Sequence, residues 1–289
     1  MLNTITEIFN DLPAEKILKL AKDLQAKILN DKSLIEYKGP DDFVTQADRE
    51  IQEIILDYFE QSALAGLYNI RAEENLLPKH HELNLVQKEY ILIIDPIDGT
   101  NSFCRGEQTW GCMVGVFERK KKALIYSWNL ISTGEVYSTA LAKTVKTKPL
   151  KTKESKTFDV FDYRYGESAK LFPQKLEDLS FKKYKIEQIQ VTSHPSSVWA
   201  GSELFNGNLN GLLWLSKSKH YPDYDLIFIG ALQEQGWQVM LGKNRGRNNE
   251  IQMLVVAENK QELELLKQIG LELSQKQELV FEVGTNLIE

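Results

Sequence analysis

This chain of 289 residues has little of what thiol or zinc chemistry needs. It carries 2 cysteines, Cys104 and Cys112, too few for a disulfide framework and not at the spacing of a zinc site. Both are expected to be reduced thiols. The 4 histidines are His80, His81, His194 and His220. None stands at helical spacing from a second ligand, so they read as surface or core residues. Positive charge is in the minority, with 35 Lys and Arg against 41 Asp and Glu, a net charge of −6. That speaks against a broad nucleic-acid-binding surface. No apolar run reaches the length of a membrane span. The first residues, MLNTITEIFNDLPAEK, lack a basic region followed by an apolar core, so no signal peptide and a cytoplasmic location are expected. An acidic balance does not exclude an anionic substrate, because a bound cation reverses the local sign.

The composition, 42% hydrophobic and 26% charged, is that of a soluble globular protein. The length permits one large domain or two tightly packed halves. Ile17, Leu18, Leu20, Ala21, Leu24 and Ile28 recur at helical spacing over residues 14–29, with Pro13 where a first-turn proline is tolerated. A second helix is expected over 45–59, capped by Thr45, with Ile51, Ile54, Ile55 and Tyr58 inward. YILII at 90–94 reads as a buried strand that stops at Asp95-Pro96. Residues 112–117, 122–128 and 135–139 read as successive antiparallel strands, with a turn at 129–134. The polar, basic stretch KTVKTKPLKTKESK at 143–156 reads as a solvated loop or hairpin between halves at 1–150 and 151–289. Beyond it, strands at 186–191, 212–215 and 251–257 alternate with helices at 225–235 and 261–273. That alternation suggests a second α/β unit.

Chemistry concentrates in ILIIDPIDGTN at 91–101. An apolar strand delivers Asp95 to its end, and Asp98 follows on a turn that Gly99 allows to be tight. Two carboxylates this close repel each other unless a cation lies between them. Magnesium prefers such oxygen donors, a backbone carbonyl included. Thr100 opens a helix or turn whose N–H groups can bind a phosphate oxygen. An Asp-rich turn with capping side chains is the plain alternative for Asp-Gly-Thr alone; the whole hexapeptide after a buried strand favours the metal site.

The hexapeptide Asp95-Pro96-Ile97-Asp98-Gly99-Thr100 resembles the signature of the inositol monophosphatase family, a superfamily of lithium-sensitive phosphatases. Phe43-Val44-Thr45-Gln46-Ala47-Asp48 resembles its V-T-x-A-D segment. Ala72-Glu73-Glu74 resembles its G-E-E segment, and Tyr224-Asp225 its W-D. The resemblance implies a layered αβαβα sandwich of the inositol monophosphatase and fructose bisphosphatase type. It implies a two-Mg²⁺ site: Glu73, Asp95 and the Ile97 carbonyl on one ion, and Asp95, Asp98 and Asp225 on the other. Asp48 and Thr100 would share a hydrogen bond and orient the attacking water. Gly99 and Thr100 would hold the phosphate, with Ser197 and Asp225 toward the substrate. The implied partner is a small phosphate ester, and a homodimer is the default assembly.

Each assignment has a simpler rival. Asp48 can merely favour a helix N-terminus. Glu73-Glu74 can be a solvated acidic pair. Asp223 competes with Asp225. Three departures bear on the substrate: Gln235-Gly236-Trp237 replaces A-G-G, Ser218 stands where the family often has Glu, and Ser196–Ala200 is altered. Thr109-Trp110-Gly111 is similar to a stretch of the histidinol-phosphate branch. Histidinol-phosphate and nucleotide 3′-phosphatases remain alternatives, as does a non-catalytic relative that binds metal or phosphate.

Overall fold

The protein, a computed structural model, is described for residues 2–39, 42–142, 155–163, 188–192, 196–216, 221–244, 250–274 and 279–284. Helices α1 (Leu2–Asn10) and α2 (Ala14–Asn30) lead into a hairpin of β1 (Ile35–Gly39) and β2 (Asp42–Thr45), then α3 (Gln46–Glu60). Next come β3 (Tyr68–Ala72), the short α4 (Pro78–His81), β4 (Tyr90–Asp98) and α5 (Thr100–Arg105). Strands β5 (Gly111–Glu118), β6 (Ala123–Ile131) and β7 (Val136–Ser138) follow, then α6 (Thr139–Ala142). The remainder is β8 (Ser155–Tyr163), β9 (Gln188–Thr192), α7 (Ser197–Phe205), β10 (Gly211–Ser216), a 3-10 turn (Tyr224–Leu226) and α8 (Ile229–Gln235). It ends with β11 (Gln238–Asn244), β12 (Glu250–Ala257), α9 (Lys260–Ser274) and β13 (Leu279–Val283).

Two sheets result. The first runs β3-β4-β5-β6-β7, parallel only between β3 and β4. The second runs β13-β11-β12-β10-β8-β9, parallel where β10 meets β8 and β8 meets β9. Successive residues of a strand face opposite sides, so an apolar run buried on both faces must serve two cores. In β4, Tyr90, Leu92 and Ile94 pack with Phe9, Ile17, Ile51 and Phe59 of α1–α3, whereas Ile91 and Ile93 face the other way. There they meet Val198 and Leu204 of α7, Ile229 and Leu232 of α8, and Leu212 and Trp214 of β10. The alternate residues Leu213 and Leu215 of β10 pack under Leu263, Leu266 and Ile269 of α9. The order of layers is therefore helix, sheet, helix, sheet, helix.

Most sequence expectations for elements fall on observed ones, with three corrections. The turn expected at 129–134 starts only after Ile131, because β6 keeps its pairing with β5 to that residue. The strand from Tyr90 does not stop at Asp95-Pro96 but continues to Asp98. The helix expected at 225–235 is a 3-10 turn followed by α8. The loop expected at 143–156 lies outside the described residues up to 154, and its last two residues open β8. Residues 186–187 of the strand expected at 186–191 also lie outside them. Both cysteines are buried and free.

Candidate active site

In a regular strand Asp95 and Asp98, three residues apart, would point to opposite faces. The pairing of β4 with β5 steps from Asp95↔Met113 to Asp98↔Gly111. Pro96 and Ile97 thus face Cys112 alone, the two-against-one count of a β-bulge. The extra residue turns Asp98 back to the side of Asp95. A bulge also tolerates the missing proline N–H, which is why the strand survives Pro96.

Carboxylate oxygens of Asp95, Asp98 and Asp225 lie within 4.8 Å of one another. Asp95 is 1% exposed. Burial, then the negative charge of Glu73, Asp98 and Asp225, pushes its carboxyl well above the usual range. Burial also raises Asp98, against hydrogen bonds that favour its charged form. Asp95 Oδ1 is buried and has no hydrogen-bond partner among the described residues. An orphaned carboxylate oxygen amid three further carboxylates fits a divalent cation. The donors are all hard oxygens, the set that suits magnesium rather than a thiolate-seeking metal.

Glu73 reaches this cluster because its N–H donates to the Ile94 carbonyl oxygen at 3.1 Å, which prolongs the β3–β4 pairing by one residue. Oxygens of Glu73 also lie within 4.8 Å of Asp48 and Glu74. Asp48 sits at the start of α3 in a capping box: its Oδ2 accepts from Thr45 N at 2.7 Å and Thr45 Oγ1 at 2.6 Å. The plain reading of Asp48 as a helix-terminal acid and its place beside Glu73 are both realised.

Asp98 Oδ2 accepts from Ser196 Oγ at 2.5 Å and from Val198 N at 2.6 Å. Ser196 caps α7, and Ser197, its first residue, is buried. Gly99 has φ 85°, and a Cβ there would lie 2.8 Å from both the Thr109 carbonyl oxygen and Ser196 Cβ. No side chain fits. The Thr100 hydroxyl, expected to bond Asp48, donates to the Ile97 carbonyl oxygen at 2.9 Å. That carbonyl keeps a second lone pair.

The rivalry of Asp223 and Asp225 has a geometric outcome. Asp223 pairs with Arg71 of β3, while Asp225 joins Asp95 and Asp98. Trp110 is core, edge-on to Phe103 with ring centroids 5.1 Å apart. Ser218, His194 and His220 lie outside the described residues. Sequence reasoning missed Arg71 as the partner of Asp223, and Ser196 with the Val198 N–H as the holders of Asp98. The only local signal was a serine preceding an apolar helix, the pattern of an N-cap.

A sequence model of the inositol monophosphatase family matches residues 2–197. The inositol-1-monophosphatase of Bacillus subtilis (strain 168) is 34% identical over 124 residues, 42% of this chain and 44% of that protein. The chain thus spans less than half the length of that curated relative in the match. Among solved structures, the extragenic suppressor protein suhB from Bartonella henselae superposes with a TM-score of 0.65 at 13% identity, over 92% of this chain and 97% of the other. Inositol monophosphatase II from Staphylococcus aureus MSSA476 gives 0.61 at 13% identity, over 93% and 96%. At these identities the likeness shows the fold. The family match and the shared fold agree with the motifs around Asp95: the chain belongs to the inositol monophosphatase family.

Proposed function

We propose that the chain is a Mg²⁺-dependent phosphomonoesterase that hydrolyses a small phosphorylated metabolite by direct attack of water. The observation that carries this reading is the convergence of Asp95, Asp98 and Asp225, with Glu73 alongside and a buried Asp95 oxygen that makes no hydrogen bond to any described residue. Glu73, Asp95 and the Ile97 carbonyl would hold one ion, and Asp95, Asp98 and Asp225 the other. Magnesium held there supplies neutralisation of phosphate charge and acidification of water.

The chain's own groups do the rest. Asp48 and Thr100 orient the attacking water, and the Asp48 carboxylate takes its proton. The N–H groups of Gly99 and Thr100 fix the phosphate oxygens, so the developing charge meets dipoles already in place. Residues 1–150 supply this machinery. Residues 151–289 supply Asp225 and, through Ser197 and the segment around Asp225, contacts to the departing alcohol. Phosphate transfer of this kind rests on positioning and electrostatics and needs no covalent nucleophile. The working form on this reading is a cytoplasmic homodimer.

Release of inorganic phosphate from small phosphate esters, followed with added Mg²⁺ and with excess chelator, tests the proposal. Turnover is expected only with Mg²⁺; full turnover in chelator overturns the metal reading.

A further inference from the structure

A second group of ligand-type side chains lies on the far part of α3. Glu53, Asp57 and Glu60 follow at i, i+4 and i+7, a spacing that lays them along one stripe of a helix. The stripe faces α4, where His80 is 0% exposed. His80 Nε2 lies 2.9 Å from Glu60 Oε1, and Nδ1 lies 3.6 Å from Glu53 Oε1. Yet neither ring nitrogen makes a hydrogen bond to any described residue. A buried imidazole set against carboxylates, with no hydrogen bond formed to any described residue, leaves donor atoms that a cation shared with those carboxylates would satisfy.

Ligand atoms of Glu53, Asp57 and His80 lie within 4.8 Å of one another. Nitrogen and oxygen donors at about 2.0–2.2 Å around a tetrahedral ion stand roughly 3.3–3.6 Å apart. The 3.6 Å between His80 Nδ1 and Glu53 Oε1 is therefore close to one tetrahedral edge. A cationic group already stands here: Lys79 Nζ lies 2.8 Å from Asp57 Oδ1 and 3.7 Å from Glu53 Oε2. Three carboxylates outnumber that single ammonium, so the place remains attractive to cations. The Lys79 side chain is 49% exposed, so it can swing into water and make room.

We propose that Glu53, Asp57 and His80 form a second cation site, separate from the Asp95 cluster, for a borderline divalent ion of the zinc class. Imidazole with carboxylates suits that class, whereas magnesium takes oxygen donors. A bound ion would staple α4 to α3, the helix whose first turn holds Asp48. Gln52 Nε2 already ties the same helix to the carbonyl oxygens of Glu74 and Asn75, each at 3.4 Å. The ion would thus brace the segment between Glu73 and His80.

Cobalt(II) is the probe, because its visible absorption reports imidazole and carboxylate ligation directly. The full chain is titrated with Co²⁺ in excess Mg²⁺, which fills an oxygen-only cluster. The wild type and Asp95→Asn are both expected to give an intense low-coordinate band at one equivalent. Glu53→Gln, Asp57→Asn and His80→Gln should each weaken it, by roughly tenfold or more in affinity. Lys79→Met should strengthen it by removing the competing ammonium. Glu53 and Asp57 are part-exposed, so their variants carry the test even if the buried His80 variant fails to fold. Absence of the band in the wild type, its loss in Asp95→Asn, or its survival unchanged in both carboxylate variants overturns the proposal.

Discussion

At the scale of single residues, two carboxylates separated by one tyrosine have opposite fates. Asp223 is 8% exposed and pairs with Arg71. Burial raises its carboxyl and the guanidinium opposes the rise. Asp225 faces the Asp95 cluster. Asp225→Asn and Asp95→Asn should therefore abolish turnover, whereas Asp223→Asn should leave kcat/KM nearly unchanged. Since Arg71 is half exposed, the lost pair should cost no more than about 1 kcal/mol of stability. Phosphate-release kinetics with a thermal melt on each variant check this; a silent Asp225→Asn beside a dead Asp223→Asn would reverse the assignment of the second ligand. The sequence made Asp95 and Asp98 legible because they are close neighbours on a strand end. Asp98's partners Ser196 and Val198 were not legible, because they lie about a hundred positions away and no local pattern encodes that approach.

At the scale of elements, what was readable was periodicity. The 3.6-residue spacing of Ile17, Ala21, Leu24 and Ile28 gave α2, and these are its buried residues. The apolar run of β4 was readable too, but not the bulge. Nothing in DPID distinguishes a strand that ends at proline from one that bulges around it; only the facing β5 decides. The close passage of the 3-10 turn was hidden for a similar reason. A Cβ on Gly115 of β5 would stand 2.9 Å from Leu124 Cδ1 and 3.2 Å from Ile227 Cγ2, so the small residue is what lets this segment approach the strand. The capping box of α3 offers a separable prediction. Asp48→Asn retains a carbonyl oxygen for Thr45, so the helix start should survive while the proposed proton acceptor is lost, at roughly 10²–10⁴-fold in rate. Asp48→Ala should lose the rate and, in addition, about 1 kcal/mol of stability. Kinetics and chemical denaturation on both variants distinguish the two roles. Equal stability losses in both would mean that the charge, and not the acceptor, holds the cap.

At the scale of the molecule, the five layers divide the work. The outer helices α1–α3 and the first sheet support Asp48, Glu73, Asp95 and Asp98. The middle helical layer, packed between the two sheets, brings Ser196, Val198 and Asp225 to the same place. The family match ends at residue 197, so it covers the first contribution and stops as the second begins. On the proposed reading, phosphate chemistry would belong to the first contribution and recognition of the alcohol to the second, beside Asp225, where the leaving group is proposed to sit. Hydrogen bonds to substrate hydroxyls can discriminate strongly, because an analogue without them leaves buried polar groups unpaired. The altered Ser196–Ala200 block and Ser218 in place of a carboxylate should therefore redirect that recognition while leaving hydrolysis intact. Inositol monophosphates are accordingly expected not to be the best substrates. The deciding measurement is kcat/KM over inositol monophosphates, histidinol phosphate, adenosine 3′,5′-bisphosphate, fructose 1,6-bisphosphate and an aryl phosphate. A strong preference for inositol 1-phosphate would show that these positions do not set the choice. Turnover of none of them, by a folded protein with Mg²⁺ present, would favour a relative that binds phosphate without cleaving it.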